Sequence, residues 1–84
     1  MTENDLEIAR LVLERVISAL EEKPVEWHTE INLDEIICHM NFTTIPRKVF
    51  FRLDNIMLGF RIEALVPYIV SEIKKTREHC THHG

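Results

Sequence analysis

From Asn32 to Phe60 the chain reads NLDEIICHMNFTTIPRKVFFRLDNIMLGF, and the fold turns on how this stretch is read. Its spacing predicts a short helix, a turn and a longer, very apolar helix. Asn32 suits an N-cap, because its side-chain oxygen accepts from a free N–H two or three residues on. Asp34 and Glu35 follow in the first turn, where carboxylates suit the positive end of the helix dipole. Leu33, Ile36, Ile37 and Met40 supply an apolar stripe at helical spacing. Asn41 comes next, where the left-handed conformation is often needed and Asn tolerates it. Thr43 or Thr44 then caps a second helix, and Pro46 fits its first turn, where no N–H partner is missing anyway. That helix is expected from about Pro46 to Leu58, with Gly59 as its stop. Val49, Phe50, Leu53, Ile56, Met57 and Phe60 form one broad apolar face, while Phe51 and Leu58 lie off it. Lys48, Arg52 and Asn55 form a narrow polar stripe, with Arg47 and Asp54 beside it. A helix this apolar must be covered on most sides, so it is either central to the fold or partnered on its second side.

Residues 33–53, LDEIICHMNFTTIPRKVFFRL, resemble the generic helix-turn-helix pattern. An acidic-apolar helix leads to an αL-tolerant residue, an apolar residue and a Ser/Thr, then to a helix carrying Val and Leu four apart. Leu33, Glu35, Ile36, Asn41, Phe42, Thr43, Val49 and Leu53 carry the match. Ile37 departs from it, standing where a small residue is usual, and the gap from Asn41 to Val49 is longer than the tightest form. The resemblance implies that the second helix enters the major groove of DNA, with its early residues reading bases.

The bounds set by the whole chain are consistent with one small domain. Eighty-four residues support a single modest core, but not a deep enzyme cleft with its own supporting shell. No apolar run reaches the ~18 residues of a membrane span. The acidic N-terminus, MTENDLE, does not read as a signal peptide. Two cysteines, Cys38 and Cys80, stand without a disulfide framework, which points to reduced thiols in a cytoplasmic compartment. Charge is uneven: residues 1–35 hold ten acids and three bases, net −7, and residues 36–84 hold four acids and seven bases, net +3. Overall acidity argues against a strongly basic nucleic-acid binder, yet the basic half is the half with the expected reader helix.

Outward from the central stretch, a first helix is expected from Thr2 or Asn4 to about Lys23, where Pro24 stops it. Leu6, Ala9, Leu13, Val16 and Leu20 alternate three and four apart, with Ile8, Val12, Ile17 and Ala19 widening the face. Residues 25–31, VEWHTEI, change to a two-residue period, with Val25, Trp27, Thr29 and Ile31 on one side. They read as one short strand, as between the first two helices of a winged-helix domain, or as a loop packing Trp27 onto the core. Ile62, Leu65, Val66, Ile69, Val70 and Ile73 fit a last helix, starting between Glu63 and Val66 because of Pro67 and running to about His79. A wing hairpin over residues 60–73 is the rival reading, and it lacks the Gly or Asn that its turn would prefer. The fold class expected is therefore mainly α. It is a single domain of about four helices over residues 1–79, with a helix-turn-helix-like core, at most one short strand, and a flexible tail at 80–84.

Little in the sequence points to catalysis or to a cofactor. Two glycines leave no phosphate-binding loop, and no nucleophile and base are fixed by local spacing. His79, Cys80, His82 and His83 crowd the tail, and Cys38-His39 is a second such pair, but none has the spacing of a zinc site. No metal is expected. The function expected is duplex DNA binding of a transcription-regulator type. Thr43, Thr44, Arg47, Lys48, Arg52 and Asn55 would meet phosphates or base edges. The alternative is a non-enzymatic interaction, inhibitor or adaptor module that offers Phe51 and Leu58 to a protein partner. The surplus apolar surface predicts a homodimer in either case.

Overall fold

The computed structural model describes the backbone of residues 2–81 and the side chains of residues 2–78. The chain runs α1 (Glu3–Ala19), β1 (Glu26–Asn32), β2 (Glu35–Asn41), β3 (Val49–Asp54), α2 (Asn55–Leu58) and α3 (Ile62–Thr81). The strands form one antiparallel sheet in the order β1-β2-β3. This α+β architecture overturns the mainly α, four-helix expectation and its helix-turn-helix core. The helix expected after Asn32 is a tight turn followed by β2. The helix expected over 46–58 is the end of a loop, then β3, then the single turn of α2.

The reason lies in the apolar spacing. Ile36, Cys38 and Met40 are buried, while Glu35, Ile37, His39 and Asn41 between them are only partly so. This is a two-residue period, the signature of a strand with one covered face. Leu33 and Ile37 disguise it: apolar residues at 33, 36, 37 and 40 also occupy the positions of a helical stripe. In β3, Val49 and Leu53 are buried and Phe51 is partly covered, while Phe50, Arg52 and Asp54 face out. Phe50 on the open face mimics a broad helical surface in the same way. Leu33 itself takes a positive φ of 53° in the two-residue turn between Asn32 and Glu35, which pair across the hairpin.

Two flanking helices form as the sequence predicts, but α1 ends at Ala19, short of the expected Lys23, and α3 begins at Ile62, ahead of the expected Glu63–Val66, so that Pro67 lies inside it. Thr2 caps α1 through a reciprocal box: its hydroxyl accepts from the Asp5 N–H at 3.2 Å, and its own N–H donates to the Asp5 carboxylate at 3.0 Å. The Thr2 N–H first, then the Thr2 hydroxyl, hold the Asp5 carboxyl below its ordinary range. The helix ends before Lys23, whose Nζ turns back to the carbonyls of Ile17, Ser18 and Leu20 at 2.9, 3.0 and 2.8 Å. One ammonium thus satisfies three acceptors at the negative end of the helix. In α3, Pro67 lies one turn in from the start. Only one intrahelical bond is lost there, and the helix continues through it.

Both long helices cover the same face of the sheet. Ala9, Val12, Leu13 and Val16 of α1 and Leu65, Ile69, Val70 and Ile73 of α3 enclose Ile36, Cys38, Met40, Val49 and Leu53. Leu20, Phe42 and Ile45 close the end of this core. Among the described residues no helix is long and apolar enough to cross a membrane. Among the described residues the opposite face of the sheet carries no helix, and β1 is left as an edge strand beside α1.

Candidate functional site

One group of exposed apolar side chains lies along β1 and its turn, and another, Ile56, Phe60 and Tyr68, lies on and around α2 and α3. Register places Trp27 opposite Met40 and Ile31 opposite Ile36, so both point to the helix side of the sheet. There, α1 covers β2 but leaves β1 half bare. Val25, Trp27, Ile31 and Leu33 are 64%, 49%, 51% and 90% exposed, although all four are large and apolar. Between α1 and β1 lies a hollow of about 380 Å³ lined by Arg10, Leu13, Glu14, Trp27, His28 and Thr29. Leu33 stands at the hairpin tip with a left-handed backbone. That conformation costs an L-residue roughly 1–2 kcal/mol and favours Gly or Asn, so neither burial nor backbone preference explains a leucine there.

The backbone of β1 is open as well. Asn32 and Glu35 close a two-residue turn, so Asn32, Glu30 and His28 exchange hydrogen bonds with β2. The backbone groups of Ile31, Thr29 and Trp27 point the other way, to the free edge. Neither proline nor lysine interrupts this edge, although those are the residues that ordinarily discourage strand pairing.

The open face of the sheet carries a row of rings. His28, His39 and Phe50 stand directly opposite one another across the three strands. The two imidazoles stack with centroids 4.5 Å apart, and the His39 and Phe50 centroids are 6.1 Å apart. Glu30 lies 3.0 Å from His39 Nε2. The Arg52 guanidinium sits 5.7 Å from the Phe50 centroid and 3.9 Å from Glu35.

The residues singled out from sequence disperse over this fold. Thr43 and Thr44, in the β2–β3 loop, donate their hydroxyls to Glu22, at 3.2 Å from Thr43. Arg77 of α3 reaches the same carboxylate at 2.9 Å and lies 5.3 Å from the Phe42 centroid. Glu22 therefore ties three separate segments together. The Thr44 hydrogen bond first, then Thr43 and the Arg77 charge, hold its carboxyl below its ordinary range. Arg47 and Lys48 are exposed at the end of the loop, Arg52 is on the open sheet face, and Asn55 begins α2. They share no helix face. Phe51 and Leu58 pack against the core and are partly buried. Sequence reasoning passed over Ile31 and Leu33 as surface residues, although the alternation of residues 25–31 already pointed to a half-covered strand.

No chemical centre accompanies these surfaces. Cys38 is buried and free, and burial pushes its thiol up to about 12, so it stays neutral and unreactive. Among the described residues no group of three or more His, Cys, Asp or Glu side chains converges to hold a metal. The side chains of His79, Cys80, His82 and His83 lie outside the described residues, as does the end of the 80–84 segment. No family model matches the chain, and neither the curated proteins nor the solved structures contain a significant match to it.

Proposed function

We propose that this protein is a non-enzymatic protein-interaction module, and that its working surface is the free edge of β1 with the Leu33 turn at its end. The observation that carries this reading is the exposure of Val25, Trp27, Ile31 and Leu33 along one edge. Scattered exposed apolar residues are ordinary, but a contiguous group beside unpaired strand backbone marks a contact surface. An added strand would satisfy the edge N–H and C=O groups, while alternate side chains set specificity.

The test is a photo-crosslinking amino acid placed at Leu33 in cells, with the same group at the exposed Lys74 of α3 as control. Adducts dependent on position 33, lost when Trp27 and Ile31 are changed to Ser, are the expected result. Equal labelling from both positions would remove the reading.

Nucleic acid is a second reading, favoured by the ring row on the open face. His28, His39 and Phe50 would stack with bases of a single strand, and Arg52, Lys48 and Arg47 would meet phosphates. Glu26, Glu30, Glu35 and Asp54 share that face and oppose it. Duplex recognition by a helix over 46–58 is not carried forward, because β3 occupies that stretch. A salt titration with single-stranded oligonucleotides decides the matter. Binding that is absent at low salt, or unchanged by Phe50→Ala with Arg52→Ala, ends the nucleic-acid reading.

A further inference from the structure

We infer that the occupant of the β1 edge is a second copy of this chain, paired antiparallel about a two-fold axis through Thr29. The inference rests on the interaction-module reading and names its partner. The sequence of the edge is its own complement in this register. Within β1, Thr29 meets Thr29 and Trp27 meets Ile31 of the second copy, so the exposed Trp27 and Ile31 side chains cover one another. On the opposite face His28 meets Glu30 of the second copy, and Glu26 meets Asn32. No like charges stand directly opposite, an arrangement that would be destabilising.

Neighbouring registers fail this comparison. Centring the axis on His28 sets Glu26 against Glu30, and centring it on Glu30 sets Glu30 against itself. The hydrogen-bonding phase agrees as well. Trp27, Thr29 and Ile31 are the residues whose backbone groups face the free edge, and they are the ones brought together as bonded pairs. The hollow between α1 and β1 lies on the same face as Ile31 of the second copy and beside its new position. The result is a continuous six-stranded sheet with a helical layer on one face and two ring rows on the other. A two-fold contact of this kind is closed and does not propagate into fibres.

Sedimentation equilibrium of the full chain tests the occupant, and three variants test the register. The wild type is expected to be dimeric at micromolar concentration. Thr29→Pro removes an N–H that points to the free edge and makes no bond to β2, a place where proline is tolerated in a strand. It should yield a monomer with unchanged far-UV circular dichroism. His28→Glu sets like charges across the axis twice and should weaken association roughly tenfold. Adding Glu30→Lys to the same chain should restore most of that loss. Thr29→Cys, with Cys80→Ser, should form a symmetric disulfide on mild oxidation, since bonded antiparallel pairs hold their Cα atoms at about 5.5 Å. Glu26→Cys in the same background should not. A wild type that is monomeric at hundred-micromolar concentration overturns the second copy as occupant, while the Leu33 crosslink independently decides the interaction reading. A dimer indifferent to His28→Glu, and crosslinked equally from positions 26 and 29, overturns the register.

Discussion

Leu53→Ala and Phe50→Ala, measured side by side, test the strand that replaces the expected central helix. Leu53 is fully buried in β3 and stands opposite Ile36, beneath α1 and α3. Truncating a buried leucine costs its transfer free energy plus the cavity left behind, roughly 2–5 kcal/mol. Complete enclosure by two helices and a neighbouring strand limits relaxation, so about 3–4 kcal/mol is expected. That is a large share of the roughly 4–12 kcal/mol available to a chain of this length. At about 4–8 °C per kcal/mol, the melting temperature should fall by well over 10 °C. Phe50 is on the opposite face of the same strand, half exposed, with His39 and Arg52 near its ring. Its truncation should cost about 0.5–1 kcal/mol. Urea unfolding followed by circular dichroism gives both values. On a helix, positions 50 and 53 share a face and both losses would be large. Comparable costs for the two variants would therefore refute β3 and the sheet built on it.

Glu22 should make the fold sensitive to acid. Its folded carboxyl lies below its ordinary 4.5, so its stabilisation is complete above that value and is lost as pH falls through the lowered one. Glu22→Gln should melt lower than the wild type at neutral pH, and the gap should close on acidification; a constant gap would mean that the carboxylate is not what ties the loop to α3. Leu33→Gly should raise stability by up to about 1 kcal/mol, because glycine accepts the left-handed turn position without strain. Chemical denaturation of the monomeric Thr29→Pro background measures this, and a lower stability would show that Leu33 packs within its own chain. Cys38 should resist a thiol reagent in the native state and react only at the rate of unfolding, since its thiol stays neutral up to about 12; measured on Cys80→Ser, fast labelling in buffer would contradict its burial.

Some of this protein was fixed by local sequence. The capping box at Thr2 and Asp5, the apolar face of α1 and the face of α3 depend on residues three or four apart, and such contacts exist within the helix itself. The two-residue alternation of residues 25–31 was also legible, and most of that stretch lies in β1 (Glu26–Asn32). Val49, Leu53, Ile36, Leu13 and Val16 were legible as core, because apolar side chains of this size are buried in either secondary structure, whereas Met57, expected with them, is only partly buried. Whether residues 35–41 and 49–54 are helices or strands was not legible. The hydrogen bonds that decide it run between β1, β2 and β3, across residues far apart in the chain, while Ile37 and Phe50 give the local pattern a helical look. The threonines at 43 and 44 likewise gained their role only from Glu22, about twenty residues upstream. The candidate site divides in the same way. The alternation VEWHTEI makes an edge with self-complementary side chains, but only the position of α1, which covers β2 and leaves β1 half bare, determines that Trp27 and Ile31 remain outside the core. Burial is a property of the assembled layers, and a strand carries no local record of which neighbour stops short of it.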